Sequence, residues 1–142
     1  MKKRYTSEEI WYNDAGIVSL DNDKVRSLIA RLLSKVPKDV ADKVLEECLF
    51  IMPMFDEIGF HLPKNILQNK CVIAFSESLL KEDDKNIVHI GLHEIAHFYL
   101  DHKSPLLEDL SDEEAKKQEE DADRLADKWL REFDIDSKQK PK

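Results

Sequence analysis

Residues 86 to 101, NIVHIGLHEIAHFYLD, constrain this chain more than any other stretch. On a helix of about 100° per residue, Ile87, Val88, Gly91, Leu92, Ile95, Ala96, Phe98 and Tyr99 cover most of the circumference. His89, His93, Glu94, His97 and Asp101 are confined, with Ile90 and Leu100 beside them, to the remaining sector. A helix apolar over so wide an arc has to be largely buried, so the rest of the chain must wrap it. Its polar strip then faces something specific. Ionisable groups without partners are costly to desolvate, whereas a bound cation would satisfy them.

The wrapping elements are mostly helical. Thr6 and Glu9 stand at capping-box spacing and predict a short helix over Thr6 to Asn13. A firmer helix follows Asp21, with Val25, Leu28, Ile29, Leu32, Leu33 and Val36 on one face. Pro37 ends it and can open the next, whose inner stripe is Val40, Val44, Leu45, Cys48 and Leu49. FIMPMFDEIGFHLPK is interrupted by Pro53, Gly59 and Pro63 and predicts a loop with at most a short extended piece. KCVIAFSES is the strand candidate, a compact run containing Val72, Ile73 and Phe75. The histidine helix is expected from near Asp84 to about Leu100. DHKSPLLEDL is a connection in which Ser104-Pro105 suits a short helical turn. Ser111 with Glu114 makes a second capping box, opening a last helix over Asp112 to Phe133. The expectation is an α+β fold, mainly helical, with a small sheet whose edge strand precedes the active-site helix. One domain over residues 1–136 is expected. Within it a helical N-terminal region (residues 1–57) packs on a metal-site region (residues 58–136), and residues 137–142 form a disordered tail.

Composition narrows the partners. The 142 residues are 42% hydrophobic and 37% charged, with a net charge of −8. That balance argues against direct nucleic-acid binding or an anionic membrane surface, both of which need clustered Lys and Arg. No segment approaches the roughly 18 apolar residues of a membrane span. MKKRYTSEEIWYN has positive residues but no apolar stretch behind them, and Cys48 and Cys71 are isolated, so a cytoplasmic location is expected.

Histidines four apart lie one turn apart on one helix face, where both imidazoles can reach a single Zn²⁺. The glutamate after the first lies about 100° around the helix. It is badly placed as a third ligand but well placed to take a proton from water at the ion. His93 and His97 with Glu94 fit this division, giving His93 and His97 as metal ligands and Glu94 as the catalytic base. His89 and His93 are also four apart, but no glutamate follows His89. A pattern this short arises by chance on the order of once or twice in a hundred such chains, so a third ligand has to be found.

Candidates are Asp101, His102 and the acidic run of the last helix. Asp101 would crowd the ion from the same helix. His102 falls five residues after His97, without the glycine that the three-histidine motif uses for its turn. On the last helix, Ala115, Ala122, Leu125, Ala126, Trp129, Leu130 and Phe133 form the inward stripe. Glu119 falls inside it and Asp123 at its edge. Glu119 is the preferred third ligand, and Asp123 is suited to accept the free N–H of a ligating imidazole.

LHEIAH together with EEDADRLADKWL resembles the zincin metallopeptidases, especially the ImmA/IrrE type. In that family a strand precedes the helix with two histidines and a glutamate, and a later helix carries a glutamate four residues before Asn or Asp. Glu119, Ala122 and Asp123 match the second motif, and the resemblance spans about residues 58 to 133. It implies a minimal zincin-like fold and a zinc-dependent peptidase acting on a protein substrate, with helix-turn-helix repressors among such targets. Two departures are the run KEDDKN before the active helix and the missing apolar-Pro ending of the second motif. An extended peptide would pair along CVIAFSES as an edge strand. His61, His89, Tyr12 and Tyr99 are available to stabilise an oxyanion. The rival readings are a non-catalytic zincin-like protein that binds a regulator stoichiometrically, and a metal-free helical interaction protein.

Overall fold

A computed structural model describes residues 3–12, 23–51, 59–67, 70–75, 81–102 and 109–139. It comprises helices α1 (Ser7–Tyr12), α2 (Asp23–Leu33), α3 (Lys38–Glu47), α4 (Asp84–Tyr99) and α5 (Asp112–Gln139), with strands β1 (Cys48–Ile51), β2 (Gly59–Leu67) and β3 (Lys70–Phe75).

The helix starts follow from local chemistry. Thr6 N–H donates to Glu9 Oε1 at 3.1 Å and Glu9 N–H to Thr6 Oγ1 at 3.2 Å, a reciprocal capping box. Asp83 caps α4 by accepting from Asn86 N–H at 2.9 Å. Ser111 Oγ accepts from Glu114 N–H at 3.1 Å at the start of α5. Pro37 is the N-cap of α3, where its missing N–H costs nothing. The expected end of the last helix at Phe133 falls short: α5 continues to Gln139, so the first residues of the expected disordered tail are helical.

The expected α+β class is corrected. The described chain is predominantly helical. The core is the junction of α2, α3, α4 and α5: Ile29, Leu32, Leu33, Val44, Leu92, Ile95, Ala96, Ala122 and Ala126 are wholly covered. The strand preceding α4 is not an edge. The order is β1-β3-β2, with β3 in the middle, parallel to β1 (Cys48↔Cys71) and antiparallel to β2 (His61↔Ile73). β3 has both sides paired, so an added peptide strand has no free edge there.

Two strands fall where a loop and a helix end were expected. α3 stops at Glu47, and Cys48 and Leu49 belong to β1 instead of extending the helical stripe. β2 contains Pro63, read from the sequence as a breaker. β2 is an edge strand, and its pairing is irregular between Leu62 and Leu67. An edge at a bulge is where proline's missing donor is tolerated. The expected helical turn at Ser104-Pro105 lies outside the described residues.

α4 is enclosed over most of the arc its sequence sets out, with Ile87, Val88, Leu92, Ile95, Ala96 and Phe98 all buried, whereas Tyr99 at its C-terminal end is exposed. Gly91 permits the closest approach: a Cβ there would stand 2.7 Å from Leu32 Cδ2 and nearer still to Cδ1. Leu32 of α2 therefore rests on bare α4 backbone. No helix among the described residues is long and apolar enough to cross a membrane.

Candidate metal centre

α4 meets α5 through three polar rungs. His89 Nε2 lies 3.3 Å from Asp127 Oδ1, His93 Nδ1 2.7 Å from Asp123 Oδ1, and His97 Nε2 3.2 Å from Glu119 Oε1. The histidines advance by four residues as the carboxylates retreat by four, so two antiparallel helices present one rung per turn.

At the last two rungs the groups converge. Glu119 Oε2 is 2.8 Å from His93 Nε2, and the Nε2 atoms of His93 and His97 are 3.0 Å apart. The ligand atoms of His93, His97 and Glu119 all lie within 4.8 Å of one another and could hold a metal ion. Donors about 2.0–2.1 Å from a tetrahedral ion are separated by about 3.3 Å. The observed 2.8–3.2 Å spacings need only a few tenths of an ångström of expansion. Two imidazoles and one carboxylate also form a donor set that suits zinc and leaves a fourth position open.

The charge balance points the same way. His93 lies between two carboxylates, Asp123 at Nδ1 and Glu119 at Nε2. A neutral imidazole has one N–H. If it is given to Asp123, the Nε2 lone pair faces a carboxylate oxygen, a conflict that either a second ring proton or a bound cation would relieve. Only 14% of the His93 side chain and 6% of His97 are exposed, so water does little to relieve the conflict, whereas Glu119 at 59% leaves one side open.

Glu94 follows His93 on α4 and is 9% exposed. Burial pushes its carboxyl up from the usual 4.5 to about 7; His93 pulls against the rise and Glu119 adds to it. A carboxylate that exchanges its proton near neutral pH is matched to general-base work.

The expected ligands His93, His97 and Glu119 are brought together, with Asp123 behind His93. Glu119 and Asp123 were expected at the inward stripe of α5, yet both are exposed, and they reach the histidines from the rim of the helix contact. His89 pairs with Asp127, a rung away from the cluster. Tyr99 packs edge-on against Trp129 with centroids 6.0 Å apart. The side chains of Tyr12 and His61 lie outside the described set.

One neighbour was missed in the role it takes. His102 Nδ1 lies 2.9 Å from His97 Nδ1. The end of α4 explains this: Asp101 N–H donates to Phe98 O and His102 N–H to His97 O, each at 3.0 Å, and Asp101 has φ 57°. That pair of bonds around a left-handed residue is a Schellman turn. It usually uses glycine, so nothing in LDH announced it.

Comparison with family models, curated proteins and solved structures gave no match to this chain.

Proposed function

We propose that this protein is a zinc-dependent peptidase of the zincin type, hydrolysing a peptide bond in a protein substrate. The observation that carries this reading is the meeting of two imidazoles and one carboxylate, from two helices, beside a buried glutamate. Zn²⁺ bound there would supply a Lewis acid able to polarise a carbonyl and acidify a water. His93, His97 and Glu119 would hold the ion, and Asp123 fixes the His93 ring through Nδ1. Glu94, buried on α4 next to His93, would take the proton of the attacking water and return it to the leaving amine. The open side at Glu119 admits the substrate. β2 is the edge strand packed against α4, which favours it over β3 for backbone pairing with an extended peptide.

The test combines metal analysis with cleavage of a quenched-fluorescence peptide library. Glu94→Gln should retain stoichiometric zinc and lose hydrolysis; His97→Ala should lose both. Undiminished hydrolysis in either variant refutes the proposal. If a protein partner is found, inhibition of that partner persisting in Glu94→Gln would identify stoichiometric binding in place of catalysis.

A further inference from the structure

The two imidazoles of the cluster are backed by different groups. His93 has a carboxylate at Nδ1, whereas His97 has the ring nitrogen of another histidine. We propose that His102 is a positioning residue, holding His97 with its proton on Nδ1 and its Nε2 lone pair turned toward the ion site. This inference rests on the metal reading above and adds a residue to it.

The argument is one of proton count and direction. His97 Nε2 faces His93 Nε2 at 3.0 Å and Glu119 Oε1 at 3.2 Å, so that nitrogen is the one available to an ion. A neutral imidazole that ligates through Nε2 carries its only N–H on Nδ1. That N–H needs an acceptor, because the ring is almost wholly covered. His102 Nδ1 supplies one at 2.9 Å, and His102 then carries its own proton on Nε2. The ring planes meet at 64° with centroids 5.1 Å apart, which is an edge-on approach and not a stack. His102 stands at the side of the His97 ring away from the cluster, so it is excluded as a direct ligand while His97 uses Nε2.

The backbone makes this placement reproducible. The His102 N–H is bonded to the carbonyl of His97 itself, so the residue is anchored to its target at both backbone and ring. The left-handed Asp101 between them reverses the chain.

The experiment titrates Zn²⁺ against a chromogenic chelator in wild-type protein, His102→Ala and His102→Asn, with metal-free melting curves for each. Asparagine keeps an acceptor oxygen at the position of Nδ1. His102→Ala should weaken zinc affinity about 10–100-fold, the usual effect of losing such a partner, and His102→Asn should stay within a few-fold of wild type. Asp101→Val, which disfavours the left-handed turn, should share the loss, and Asp101→Gly, which favours it, should not. The Asp101 pair decides the matter if His102→Ala fails to fold. Unchanged affinity in His102→Ala, or equal losses in the alanine and asparagine variants, overturns the inference while leaving the metal reading intact. A wild-type protein that takes up no zinc overturns both.

Discussion

Replacing Glu94 with glutamine preserves the side chain's shape and removes its titration. In the folded, metal-free protein the carboxyl is pushed up from 4.5 to about 7, chiefly by burial. A raised value means that the folded state holds the proton more tightly than the unfolded chain. The associated stability is therefore fully present below about pH 4.5 and is lost as the pH rises through 7. The span between the two values corresponds to about 3 kcal/mol. Urea denaturation of metal-free wild type and Glu94→Gln at pH 5, 6, 7 and 8 isolates this term, since every other titrating group is common to both. The variant's advantage should be small at pH 5 and grow to about 2–3 kcal/mol by pH 8. Parallel pH curves, or a variant less stable than wild type at pH 8, would refute the reasoning. With zinc bound, the same substitution should lower hydrolysis by about 10²–10⁴-fold. The base would then be retained at the expense of fold stability.

Asp123→Ala removes the acceptor from His93 Nδ1 and should weaken zinc affinity about 10–100-fold in chelator competition, with the metal-free melting temperature little changed. His97→Ala, which deletes a ligand, should abolish stoichiometric zinc in metal analysis. Gly91→Ala drives a methyl into the buried Leu32 side chain. Overpacking of about 1–3 kcal/mol outweighs the gain of up to about 1 kcal/mol in helix propensity, so denaturation should show a net loss of about 1 kcal/mol.

The sequence disclosed most about elements whose signals are local. Thr6–Glu9 forms its capping box, Ser111 caps α5 by accepting from Glu114 N–H, and most of the wide apolar arc of residues 86 to 101 became a buried face of α4. The cluster that could hold a metal ion was legible because helical periodicity sets which residues share a face. Sheet placement was not, because it depends on pairing between distant segments. Nothing near Pro63 says that its strand lies at an edge, and nothing in CVIAFSES says that partners arrive on both sides. The turn that presents His102 was hidden for a different reason: aspartate adopts a left-handed backbone only at some cost, and that conformation is invisible until the helix end is seen.

The evenly spaced rungs between α4 and α5 have a mechanical consequence. A slide of α5 by one turn, about 5.4 Å, would set Asp123 against His97 and Asp127 against His93, still acid against imidazole, but would bring Arg131 opposite His89. Charge therefore opposes the slip at only one of the three rungs. Ala122, Ala126 and Trp129, all buried, are what discriminate between the aligned and slipped packings. Enlarging either alanine would thus act on ion binding from a distance, by shifting the carboxylates along the helix without altering a single ligand.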